Sequence, residues 1–279
     1  MNRGTSRTAL SILGVIELPE ATIYYFSGTG NTWAIALLYK EALETAGWQV
    51  ELAAIDGLAG TPEVRGDLLI LGYPVHAWNM PFLVREFIES LPERKGLKAA
   101  AFMTMGAISR GAPAITWRLL AEKGYEVLGV EEYVMPTNWV LGERAGTEES
   151  FYALREEAAK KARQAVADLV AGKVREVAFV DSEIEFSETS YARFRRAFPK
   201  WAGEFTVGES CTLCSLCVDL CPMNNLRMEG RTVVYGKECV LCLRCINLCP
   251  ERAIEWRDKT QTIGRYQAPG FAKAIRAAR

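Results

Sequence analysis

A chain of 279 residues, 49% hydrophobic and 24% charged, is long enough for one substantial α/β core and a small second domain, and too apolar to be disordered. Its formal net charge of −1 and lack of a strongly basic stripe exclude a nucleic-acid footprint. No run of about 18 apolar residues occurs, so no transmembrane segment is expected.

Residues 1–20 read as an N-terminal extension. Within it Ala9–Leu18, behind Arg3 and Arg7, is faintly like a signal-peptide apolar region, but Glu17 and Glu20 interrupt it and no small-x-small cleavage pattern follows. Thr22–Phe26 then reads as a strand, followed by a glycine-rich turn and a helix over Thr32–Ala46. The alternation continues with strands at Trp48–Ala53, Asp67–Gly72, Lys98–Gly106 and Val127–Met135, and helices at Pro81–Leu91, Ile115–Lys123 and Glu148–Gly172. Five strands alternating with helices predict a doubly wound parallel sheet over residues 21–172. Residues 173–203 have poor periodicity and a mixed composition; they read as a linker packed against both domains, or as a basic docking face for a partner.

All eight cysteines fall between Cys211 and Cys249, the distribution of a local cofactor site in a reducing cytoplasm and not of a disulfide framework. Cys211, Cys214, Cys217 and Cys221-Pro222 recur 28 positions later as Cys239, Cys242, Cys245 and Cys249-Pro250, an internal duplication. Three thiolates at i, i+3 and i+6 can take three corners of one cubane, while the cysteine before proline reaches the other cluster. One cluster would thus take Cys211, Cys214, Cys217 and Cys249, and the second Cys239, Cys242, Cys245 and Cys221. Cys-x₂-Cys pairs also build zinc ribbons, but zinc needs neither the third cysteine nor the Cys-Pro. The pattern resembles the bacterial ferredoxins with two 4Fe–4S clusters, a small α+β fold, over residues 204–257. Leu216 of the first loop becomes Arg244 in the second, so Arg244 either raises the potential of the second cluster or points to solvent.

Ser27, Gly28, Thr29, Gly30, Asn31 and Thr32 lie between the first strand and first helix, where backbone N–H groups and a helix N-terminus attract phosphate. Trp33 stands where the dinucleotide fingerprint needs glycine, and the Walker Gly-Lys-Ser/Thr is missing. Phe26–Thr32 closely resembles the phosphate loop of the flavodoxin family, which implies FMN and a flavodoxin-like fold. The loops after the third and fourth strands share that sheet edge and offer ring contacts: Pro74, Val75, His76, Ala77, Trp78 and Asn79 in one, Met105, Gly106, Arg110 and Gly111 in the other. Arg110 would offset charge on reduced flavin. Trp78 would stack on the ring, or form a lid or partner contact; His76, the single histidine, would donate to the flavin or be polar surface. The long acidic, tyrosine-bearing ring loop of small flavodoxins is missing, and no nicotinamide site is evident.

The combination over residues 21–257 resembles the fused flavodoxin/ferredoxin proteins labelled EFR1-family ferredoxins. It implies an electron carrier or adapter between redox partner proteins. The alternative is a flavin-dependent reductase of a small acceptor such as a quinone, nitro compound or oxygen, fed by its own ferredoxin module. No residue set suggests acid–base catalysis, no output domain suggests a sensor, and a homodimer is compatible with the reading. The tail 258–279 reads as a short amphipathic helix packed on the body, or touching a membrane or partner.

Overall fold

In a computed structural model of the chain, residues 18–56, 58, 62–142, 145–257 and 259–277 are described. The signal-like segment, apart from Leu18, and Arg279 lie outside them. β1 (Glu20–Tyr25), β2 (Gln49–Ala54), β3 (Leu68–Pro74), β4 (Lys98–Met105) and β5 (Glu126–Val134) form one parallel sheet in the order β2-β1-β3-β4-β5. This is the flavodoxin-like order, with its topological switch point between β1 and β3.

Helices α1 (Asn31–Thr45) and α4 (Glu148–Val170) cover one face; α2 (Phe82–Ser90) and α3 (Ala112–Glu122) cover the other. Because side chains alternate along a strand, Ile23 and Ile70 join the α1/α4 core while Tyr24, Leu69 and Leu71 join the α2/α3 core. Both faces being buried explains the unbroken apolar runs of β3 and β4.

The stretch read as an aperiodic linker contains a 22-residue helix, α5 (Asp181–Ala202). Its buried stripe is narrow and mixed (Ser187, Tyr191, Phe198, Ala202), and the arginines and glutamates between these positions hide the helical period. Arg85 on α2 grips its Glu188 through two hydrogen bonds of 2.7 and 2.9 Å.

The cysteine region is a duplicated α+β unit. β6 (Phe205–Val207) pairs antiparallel with β9 (Ile254–Trp256), β7 (Leu226–Glu229) with β8 (Thr232–Tyr235), and two short helices, α6 (Leu216–Asp219) and α7 (Arg244–Leu248), follow the two loops. The tail then returns to the sheet domain as α8 (Phe271–Ala277), burying Phe271 against Trp33. Val240 and Cys242 belong to the α2/α3 core, and Leu220 and Leu248 to the α1/α4 core, so the hydrophobic interior runs continuously between the two units. Among the described residues no helix is long and apolar enough to cross a membrane.

Candidate functional site

Each cysteine loop alternates in backbone hand. Leu213 and Ser215 in the first, and Leu241 and Leu243 in the second, have φ between 49° and 60°, which costs about 1 kcal/mol or more per non-glycine residue. Such alternation turns successive N–H groups toward one concavity. Leu241 N–H donates to Cys239 Sγ (3.4 Å), Asn225 N–H to Cys221 Sγ (3.2 Å) and Ala253 N–H to Cys249 Sγ (3.3 Å).

One cavity is walled by Cys211, Cys214, Cys217 and Cys249, a second by Cys239, Cys242, Cys245 and Cys221. The structure therefore brings together the two crossed sets that the sequence suggests. Burial pushes the Cys217 thiol up to about 11, Cys239 to about 12 and Cys242 to about 11, and charges from cysteines of the same set push in the same direction. Four thiolates sharing one cavity repel each other, so this donor set fits a cationic core. Cys214 is exposed, whereas Cys221 and Cys242 are buried, and Cys242 packs into the α2/α3 core of the sheet domain.

Arg244 does not point to solvent. It is fully buried, pairs with Asp56 (2.6 Å), and donates to the carbonyl oxygens of Ser27 (2.7 Å), Gly28 (3.3 Å) and Leu220 (2.8 Å).

Those first two carbonyls belong to the glycine-rich loop, which is held from both sides. A Cβ on Gly28 would lie 2.3 Å from the Cys242 carbonyl oxygen; one on Gly30, at φ +103°, would lie 2.6 Å from Phe271. Ala268 N–H donates to the Thr29 carbonyl (2.8 Å), so the tail packs on this loop. Within it Ser27 Oγ accepts from Gly30 N–H (3.0 Å), Thr29 Oγ1 accepts from Asn138 (3.0 Å), the Thr32 hydroxyl pairs with that of Thr104 (2.8 Å), and Asn31 is held by the Pro136 carbonyl and the Tyr266 hydroxyl. Among the described residues nothing accepts from the N–H of Gly28 or Thr29, and α1 starts without a side-chain cap. Orphan donors at a helix N-terminus make an anion site.

Beside this loop, at the carboxyl edge of the sheet, lies an open cleft of about 920 Å³. Ser27, Gly28, Thr29, Asn31, Thr32, Pro74, Val75, His76, Ala77, Trp78, Met105 and Gly106 line it. His76 and Asn79 exchange backbone hydrogen bonds of 2.8 and 3.0 Å around Ala77 (φ 51°) and Trp78 (φ 59°), a tight hairpin with both central residues left-handed. Trp78 borders the cleft and meets Phe186 of α5 edge-on at 5.1 Å.

Burial holds the His76 imidazole down to about 4, against a backbone hydrogen bond to Val240. The unfolded chain, with an ordinary histidine near 6.5, therefore binds this proton first as pH falls. Stability is expected to decline from about pH 6.5 toward pH 4, and His76→Gln to lose that part of the slope, as read from urea midpoints across this range.

Three residues expected at the ring point elsewhere. Asn79 is fully buried and caps Met80 N–H through its own Oδ1 (2.8 Å); Arg110 pairs with Glu183 (3.1 Å) and lies over the Phe186 ring; Gly111 N–H donates to Ser187 Oγ (3.0 Å). Arg110 and Gly111 anchor α5, a partner hidden while 173–203 reads as a linker. Gly30 lies behind the loop, against the tail. Sequence reading also misses the β5–α4 loop, with Asn138 and Trp139, although strand order puts it on the same sheet edge. Phe194, Phe198 and Leu241 complete the cleft through tertiary contact alone.

Residues 210–253 match the family described as 4Fe-4S dicluster domain. Comparison with curated proteins finds no match. Solved structures similar to the sheet domain include an archaeal flavodoxin (16% identity, 53% of this chain and 99% of that one, TM-score 0.37). The two-electron reduced flavodoxin of Megasphaera elsdenii is 27% identical over 50% of this chain and 98% of its own, with a TM-score of 0.37. Flavodoxin 2 of Bacillus cereus is 23% identical over 55% and 98%, with a TM-score of 0.41. The chain joins a flavodoxin-like sheet to a 4Fe–4S dicluster module, the plan of an electron-transfer protein.

Proposed function

We propose that this protein is an iron–sulfur flavoprotein that carries electrons between redox partner proteins. Cys211, Cys214, Cys217 and Cys249 hold one 4Fe–4S cluster, and Cys239, Cys242, Cys245 and Cys221 a second. Ser27–Thr32 bind the phosphate of FMN, with its ring between the 74–78 and 105–108 loops. The clusters supply one-electron chemistry and the flavin one- or two-electron chemistry.

One observation carries the reading: Leu241 borders both the cleft and the second cysteine cavity. Leu241 is shared by the two linings, and the exposed Cys214 favours the first cavity as the side where a partner docks. This supports an order of flavin, second cluster and first cluster, with Leu241 packed in an apolar cluster beside Phe198 and Trp139 of the cleft.

The solvent-open cleft, with Ile108 exposed at its rim, favours a second reading as a reductase of a quinone, nitro compound or oxygen. Anaerobically reconstituted protein, reduced with dithionite and freed of the excess, is expected to pass electrons to an added ferredoxin-accepting enzyme, and with reduced ferredoxin as donor to turn over menadione or nitrobenzene no faster than free FMN does. Steady turnover of these small acceptors far above free FMN overturns the carrier reading in favour of the reductase.

A further inference from the structure

The glycine-rich loop carries no lysine or arginine to balance a phosphate. Directly behind it stands Arg244 of the cysteine domain, fully buried, with Nη2 on the Ser27 carbonyl and Nε on the Gly28 carbonyl. These two peptide units carry on their opposite edge the N–H groups of Gly28 and Thr29, which have no acceptor among the described residues. A cation on a carbonyl oxygen polarises its peptide unit and strengthens the N–H beyond it.

We propose that Arg244 is the counter-charge for the flavin phosphate, supplied across the domain boundary, and that the same cation is shared with the second cluster. The proposal rests on the flavin reading above. Arg244 lies between two ligand positions, Cys242 and Cys245, and lines the cavity of the second cysteine set. Asp56 neutralises part of that charge through the 2.6 Å pair. Phosphate and reduced cluster therefore compete for one buried cation, and by linkage each weakens the other. Filling the phosphate site should lower the potential of the second cluster, and reducing that cluster should loosen FMN.

The test uses the full chain with clusters in place, stripped of flavin and titrated with FMN or with riboflavin, which lacks the phosphate. Arg244→Met is expected to weaken FMN about tenfold or more while changing riboflavin less than about twofold. Asp56→Asn, which leaves the cation less neutralised, should tighten FMN and leave riboflavin unchanged. In wild-type protein, EPR-monitored titration should show one cluster potential falling on addition of FMN and not of riboflavin.

Equal losses of both flavins in Arg244→Met, or no loss of either, would show a structural clamp and overturn the proposal. So would unchanged FMN affinity in Asp56→Asn, which decides the matter should Arg244→Met not fold. A cluster potential indifferent to FMN overturns the sharing. Wild-type protein that binds neither flavin overturns the flavin reading instead.

Discussion

Changing Cys221 to serine is expected to remove the same cluster as changing Cys239, although the two belong to different halves of the duplicated sequence. Cys221 walls the cavity of Cys239, Cys242 and Cys245, and Cys249 that of the first triplet. Each variant should keep about four of about eight iron atoms per chain and lose one of two EPR signals. The signal lost in Cys221→Ser should match that lost in Cys239→Ser and differ from that lost in Cys211→Ser. Pairing of Cys221 with Cys211 in this experiment would mean that each repeat closes its own cluster, against the crossed geometry.

Gly28→Ala is the second large effect. Its Cβ would sit 2.3 Å from the Cys242 carbonyl oxygen, a backbone atom held by the cysteine loop, and neither side can yield easily. Overpacking of this kind costs about 1–3 kcal/mol. It also forces the phosphate loop and the second cysteine loop apart. Flavin content and lifetime of the second cluster are expected to fall together in Gly28→Ala. Gly129→Ala, outside the cleft, is the control, because its Cβ would meet only Arg175 at an ordinary 3.6 Å. A Gly28→Ala protein with full flavin content and a stable second cluster would show that the two loops need not touch.

The α/β alternation and the cysteine spacing were legible because each rests on a short period. Strands buried on both faces leave apolar runs, and the cubane ligands lie within one loop plus one cysteine from its twin. Helix α5 was illegible for the opposite reason: Ser187 and Ala202 hold half of its buried stripe, so burial there is not written in hydrophobicity. That omission carried over to Arg110 and Gly111, whose partners, Glu183 and Ser187, lie on the unrecognised helix. Arg244 was noticed as the asymmetric position of the repeat, but its partners Asp56 and Ser27 are nearly 200 residues away or more along the chain. Only the packed tertiary structure makes an arginine of one domain the support of a loop in the other. Trp33 shows the same limit, since the residue that breaks the dinucleotide fingerprint is the one on which the tail's Phe271 packs.

The cleft and the second cysteine cavity are neighbours within one chain, sharing Leu241 in their walls. Anaerobic rapid mixing of reconstituted protein with limiting reductant, following cluster and flavin absorbance separately, tests it most directly. Electrons are expected to redistribute between cluster and flavin at a first-order rate that stays constant as protein concentration is raised. A rate that grows in proportion to protein concentration would place the exchange between molecules and rule out transfer across the shared Leu241 wall.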